Sequence, residues 1–265
     1  MSDLIWRTSQ RPAPSAQGAL ALRLSLLVVS LALTAAPAQA DRMALWNIVH
    51  GQCEPHFAAG QGPKPCVDVD AADGVALLKD LHGVAQELAI PTKRITGIED
   101  PPVLAPGAPN YFAYAWRERV EVEKLLKHPL SRESIGISIN SSYSRSQDQF
   151  HLHIDCMDKG VAAALNNYVG ALDETFRRMT VPLNGRVYWA RRIDGEDLGE
   201  RSPFQMLAAG IDGAKDKMGA WSLILVGADF SGKPGFALLA DPAERLGGGH
   251  AEDLQDHDCA IAPPW

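Results

Sequence analysis

Apolar and polar residues alternate over two adjoining stretches of this chain, and its other elements can be laid out around them. In residues 149–156, Gln149, His151, His153 and Asp155 share one parity while Phe150, Leu152, Ile154 and Cys156 share the other, the period of a β-strand with one apolar face. Just upstream, Ile135, Ile137 and Ile139 alternate with small or polar residues, and a Ser- and Asn-rich turn follows, so the two runs predict a hairpin. Ahead of it the pattern predicts a helix over 43–50, strands over 74–79 and 86–90, and a helix over 111–127 that stops before His128-Pro129. Behind it come an Ala-rich helix over 160–179, a strand over 186–192, a helix opened by Ser202-Pro203, and strands over 221–226 and 235–239. The expected class is α+β, an antiparallel sheet with flanking helices, which a C-terminal β/α portion extends into one compact unit. Gly247-Gly248-Gly249 reads as a flexible turn into the tail and lacks the strand-to-helix setting of a phosphate-cradling loop.

The polar face of the 149–156 strand carries the candidate chemistry. Two imidazoles on alternate residues stand roughly 6.6 Å apart along a strand, a spacing that suits an extended ligand such as a pyrophosphate. By itself a His-x-His pair also fits a half-solvated edge strand, or two ligands of a metal with a third from Asp155, His82 or His257. The preceding turn supplies Asn140, Arg145, Ser146 and Gln147, donors able to converge on anionic oxygens held near the two rings.

Strand, polar turn and histidine-alternating strand together resemble the histidine triad (HIT-like) superfamily of nucleotide hydrolases and transferases. Further segments are similar, in order, to the bacterial CDP-diacylglycerol pyrophosphatase family. They are Leu77-Leu78-Lys79-Asp80-Leu81-His82-Gly83, Ile90-Pro91-Thr92-Lys93-Arg94-Ile95-Thr96-Gly97, Pro109-Asn110-Tyr111-Phe112, Tyr188-Trp189-Ala190-Arg191-Arg192, Arg201-Ser202-Pro203-Phe204 and Gln255-Asp256-His257-Asp258-Cys259. The resemblance runs from about Leu45 to Cys259. It implies a HIT-like sheet and hydrolysis of CDP-diacylglycerol to CMP and phosphatidate through a nucleotidyl-histidine intermediate, with no cofactor. His151 would then be the nucleophile and His153 the holder of a phosphate oxygen. Asn140 and Ser146 fall where the family contacts phosphate and backbone, and Asp80 where it holds the ribose hydroxyls. Two positions depart from the motif: Gln149 stands at the first triad position, and Asp155 stands where an apolar residue is usual. An amide can still donate and accept, so the chemistry is expected to survive. Two other functions fit the same residues, a metal-dependent periplasmic phosphoester hydrolase and a non-catalytic nucleotide- or lipid-binding protein with a degenerate triad.

The amino terminus bears on where this happens. Residues 1–40 hold Arg7, Arg11 and Arg23, an apolar run from Leu24 to Ala36, and Ala38-Gln39-Ala40. They read as a secretory signal peptide, or as a signal anchor if uncleaved, leaving residues 41–265 as the catalytic domain. That domain would act in the periplasm or at the periplasmic face of a bacterial inner membrane. All four cysteines follow the leader, as export to an oxidising compartment requires. Cys53 and Cys66 bracket a Pro- and Gly-rich loop and are paired with each other, which leaves Cys156 for Cys259. A formal net charge of −7 argues against nucleic acid as a partner. Contact with a membrane surface would need apolar residues or a local basic patch, for which the Pro101–Pro106 loop is the candidate.

Overall fold

The computed structural model describes residues 41–243 and 247–263; the expected leader lies outside them. Nine strands among the described residues form a single sheet. They are β1 (Asp68–Asp70), β2 (Val75–Lys79), β3 (Glu87–Pro91), β4 (Ile135–Ile139), β5 (Leu152–Cys156), β6 (Arg177–Arg178), β7 (Trp189–Asp194), β8 (Trp221–Asp229) and β9 (Pro234–Pro242). Their order is β1-β2-β3-β5-β4-β8-β9-β7-β6, with every neighbouring pair antiparallel. The fold is therefore α+β, and the C-terminal strands extend the sheet that holds the hairpin.

The parity read from the sequence decides which side chains meet. Leu152, Ile154 and Cys156 lie on the face that also carries Ile135, Ile137, Ile139, Leu223, Leu225 and Leu238, and all are buried. This face is covered by α3 (Tyr111–Glu118), α4 (Val120–Leu126) and α6 (Pro203–Gly210) through Phe112, Trp116, Val122, Leu126 and Phe204. Asn110 starts α3 by accepting from the Ala113 amide, at 3.3 Å.

The opposite face is divided. One row of paired residues across it reads Leu78, Leu88, His153, Ser138, Ile224, Leu239. At one end Leu78 and Leu88 pack beneath α1 (Ala44–Ile48) with Leu45 and Val49. At the other, Ile224 and Leu239 pack beneath α5 (Lys159–Tyr168) with Val161 and Leu165. Between these two separate apolar clusters the sheet presents a histidine and a serine, so helices cover both flanks and leave the polar middle to the C-terminal tail, whose Gln255 accepts from Ser138 at 2.7 Å. That gap is where the polar parity of the sequence ends up.

Several elements differ from the pattern-based expectation. Paired strand begins at Leu152, not at Gln149, because the Phe150 amide bonds to the Ile95 carbonyl at 2.6 Å instead of joining the ladder. Helical geometry does not stop at 50 but continues through a wide π-turn, Val49–Cys53, into α2 (Glu54–Ala58); Pro55 has no N–H to return to the ladder, which loosens ahead of it. The helix expected over 111–127 is two helices meeting at Arg119. The one expected over 160–179 ends at Tyr168, since Asp173 accepts from the Thr175 amide (2.7 Å) in a turn that redirects Phe176 into the core. In the Pro101–Pro106 loop Val103 is buried and Leu104 packs against the core. Gly247-Gly248-Gly249, expected to be flexible, is pinned: the Gly249 amide donates to Asp241 (2.9 Å), and its carbonyl accepts from Ser141 (2.8 Å).

Both expected disulfides are present, Cys53–Cys66 and Cys156–Cys259. The second ties the tail to the end of β5. Beside it the Asp256 amide bonds to the Cys156 carbonyl at 2.9 Å and the Asp158 amide to the Leu254 carbonyl at 3.0 Å. No helix among the described residues is long and apolar enough to cross a membrane.

Candidate active site

A cavity of about 710 Å³ opens over the polar gap in the sheet. Its apolar wall is Ala44, Leu45 and Ile48 of α1 with Pro65, Leu78 and Leu88; its polar floor is His151, His153, Glu252 and His257. Lys79, Asp80, Leu81, His82, Ser146 and Gln147 form the rest of the lining. Leu81, at the tip between β2 and β3, is 96% exposed.

His151 Nδ1 lies 2.7 Å from the main-chain carbonyl of Gln149. A carbonyl only accepts, so Nδ1 carries the hydrogen, and the lone pair sits on Nε2. Burial pushes the His151 pKa below the ordinary imidazole value, only partly opposed by that same hydrogen bond, so the ring is neutral at neutral pH. His153 stands beside it, with ring centroids 4.8 Å apart and planes at 66°. Burial drives the His153 pKa down to about 3, against the attraction of Glu252. Glu252 Oε1 is 3.2 Å from His153 Nδ1 but off the hydrogen-bonding direction, so both ring nitrogens are buried without a hydrogen-bond partner. Two buried nitrogens without partners in a cavity floor carry a desolvation cost, which an anion offsets at a nitrogen that bears a proton.

The other sequence-predicted residues divide into two groups. Asp80, Ser146 and Gln147 line the cavity. Gln147 also fixes its wall, accepting from the Leu45 amide (3.3 Å) and donating to the Asp41 carbonyl (3.0 Å). Asn140, Arg145 and Gln149 instead line a much smaller void of about 10 Å³ on the far side of His151. The Arg145 guanidinium is held by both oxygens of Glu99, at 2.8 and 2.7 Å. Asn140 donates to Glu252 Oε2 at 2.9 Å. The Gln149 amide donates to the carbonyls of Pro91 (2.9 Å) and Lys93 (3.0 Å), so its side chain braces the backbone that carries His151 and does not touch the ring.

Sequence reasoning missed Glu252 and Gln86. Glu252 sits in a 3-10 turn, Ala251–Leu254, whose four residues give no periodic signal, and it is held by Asn140 and by Gln86 Nε2 at 3.2 Å. Asp155, on the same face as His153, turns to His257 with Oδ2 to Nδ1 at 2.7 Å. As for a metal, the triplet of donor atoms that lie within ligand distance of one another among the described residues is Asp155 with Cys156 and Cys259, and the two sulfurs are bonded to each other.

Comparison with known proteins matches the sequence of this chain to a described family. A profile described as CDP-diacylglycerol pyrophosphatase matches residues 40–263. A CDP-diacylglycerol pyrophosphatase of Yersinia pestis is 39% identical over 222 residues, 83% of this chain and 85% of that one. The chain belongs to the CDP-diacylglycerol pyrophosphatase family. It is an enzyme that hydrolyses CDP-diacylglycerol. For a CDP-diacylglycerol pyrophosphatase the cavity makes chemical sense, because one wall is apolar and the floor offers nitrogen atoms without partners, matching a substrate that joins a lipid to a charged pyrophosphate.

Proposed function

We propose that this enzyme works by double displacement at the phosphorus nearest the nucleoside, with His151 as the nucleophile, at a site of the histidine triad kind. The lone pair on Nε2 forms a bond to that phosphorus as the bond to the bridging oxygen breaks, and phosphatidate departs with the electron pair. Water then attacks the same phosphorus, the N–P bond breaks, and CMP leaves with His151 neutral again. The observation that carries this reading is the 2.7 Å bond from Nδ1 to the Gln149 carbonyl. It fixes the tautomer that leaves Nε2 basic. It also strengthens as the ring becomes cationic on bonding to phosphorus, so it stabilises the transition state more than the ground state.

His153 supplies the second contact. Its desolvated ring binds no proton in the empty site, and an arriving pyrophosphate, with Glu252 behind the ring, provides the negative charge that draws one in. The imidazolium then donates to a phosphate oxygen. Asp80 and Ser146 on the cavity lining are the residues we assign to the ribose hydroxyls and a phosphate oxygen. The leader-like residues 1–40 and the two disulfides support action outside the cytoplasm at a membrane surface, where the substrate resides.

The test is intact-mass analysis of protein quenched during turnover. A transient CMP adduct is expected on the native enzyme and not on His151→Ala, which should be folded and inactive. Full activity in that variant would end the covalent scheme. Exhaustive chelation is expected to leave the rate unchanged; loss of activity restored by one divalent cation would favour the metal-dependent reading.

A further inference from the structure

The proton transfers are not accounted for by His151 and His153, and a third histidine in the same cavity is built for them. His257 is fixed on several sides. Its Nδ1 is 2.7 Å from Oδ2 of Asp155, a carboxylate with no solvent exposure whose other oxygen accepts from the Cys156 amide at 2.8 Å. Its carbonyl accepts from the Val84 amide at 2.8 Å, and two residues further on Cys259 is bonded to Cys156. Gly83 packs so closely that an added Cβ would lie 3.1 Å from the Cβ of His257. Its Nε2 remains on the cavity side, 3.5 Å from Glu252 Oε1, the same oxygen that approaches His153 Nδ1.

We propose that His257, oriented by Asp155, is the proton-transfer residue of this enzyme, giving a proton to phosphatidate as it leaves and taking one from the water that cleaves the CMP–His151 bond. The inference rests on the covalent reading above. The proton balance closes over one turnover: the imidazolium loses its Nε2 proton to the departing phosphate oxygen, and the neutral ring regains one from water as the water oxygen bonds to phosphorus. The charged groups facing His257 are Asp155, Glu252 and Asp80, all acidic, with His153 on the other side of Glu252, and the neutral Gln86 amide lies 3.3 Å from Nδ1. The hydrogen bond to Asp155 raises the His257 pKa against the opposing effect of burial, with Glu252 adding to it, which favours the protonated ring at the start of the cycle. A buried carboxylate holding one imidazole nitrogen while the other faces the reacting centre is the arrangement general acid–base catalysis requires.

Rapid-quench measurement of phosphatidate and CMP separately tests the assignment. In His257→Asn the release of CMP is expected to fall by at least about 100-fold, the usual size of such a contribution. Release of phosphatidate, a better leaving group than water is a nucleophile, falls less, and the CMP adduct on His151 accumulates. In His257→Ala, imidazole added to the buffer should restore CMP release, a response that a purely structural role would not give. Asp155→Asn should move the pH dependence of CMP release to lower pH, since the carboxylate that raises the pKa of the ring is gone. Native CMP release from the His257 variants, or equal slowing of both products with no adduct and no rescue by imidazole, would overturn the assignment. Failure of the covalent reading looks different: the native enzyme itself then shows no adduct.

Discussion

His151 and His153 are adjacent on one face, yet the surroundings give them different tasks. His151 is tied through Nδ1 to a carbonyl, whereas His153 has neither nitrogen satisfied. Because burial lowers both pKa values, His151, the proposed nucleophile, stays neutral to lower pH than a free imidazole, and kcat/KM should hold its plateau to below about pH 6.5, the value for a free imidazole. Stability should show the same depression. Between about pH 6.5 and 3 the unfolded chain binds a proton at residue 153 that the folded protein refuses, so unfolding free energy falls with pH by about 1.4 kcal/mol per unit from this group. Urea titrations at pH 7 and 5 should therefore give a smaller difference for His153→Gln than for the native protein; equal differences would contradict the burial argument. Gln149 offers a second test. Two carbonyls depend on its amide, so Gln149→Ala should lower stability by about 1–3 kcal/mol, and Gln149→Glu by more, since a carboxylate would face both acceptors. The two imidazoles were legible from alternation alone. That Arg145 is neutralised was not, because Glu99 lies 46 residues away with no local pattern linking them.

Among the elements, long alternating runs were legible and irregular connections were not. β4 and β5 follow from alternation and β2, β3, β7, β8 and β9 from short runs rich in apolar residues, while β1 and β6, of three and two residues, are too short to show a pattern. The glycine run 247–249 is the instructive miss. Composition suggests mobility there, but all three residues have positive φ, and a Cβ on Gly249 would come within 2.5 Å of Ser141 Oγ. The run joins Asp241 at the end of β9 to Ser141, which begins the loop carrying Ser146 and Gln147. Gly249→Ala should therefore cost about 1–3 kcal/mol, from backbone strain together with the close approach, read as a lower midpoint in urea. An unchanged midpoint would mean that the segment yields.

At the scale of the whole molecule the site exists because one face of a single sheet carries two apolar clusters instead of one. One of them, beneath α1, contains a disulfide, whereas the second disulfide lies in the core on the opposite face. Cys53–Cys66 holds α1 and α2 to the strand that follows, and Cys156–Cys259 brings the tail against β5. In the chain-entropy treatment the ring of 103 residues contributes about 4–5 kcal/mol and that of 13 about 3 kcal/mol. Their functional effects should differ more. Replacing Cys156 and Cys259 by serine should lower kcat, since Glu252 and His257 arrive on that tail. Replacing Cys53 and Cys66 should chiefly raise KM, since α1 forms the apolar wall; steady-state kinetics on the two double variants distinguishes these outcomes.

The tail tie also sets an order of events. His151 is synthesised a hundred residues before Glu252 and His257, which complete the cavity floor, and the bridge that ties their segment to β5 forms only when two distant sulfurs have lost their hydrogens. A nascent polypeptide that has not reached its last residues thus lacks two sides of the cavity floor. Opening that bridge in the folded protein with a thiol reductant is therefore expected to lower kcat, and an unchanged rate would show that the surrounding hydrogen bonds hold the tail by themselves.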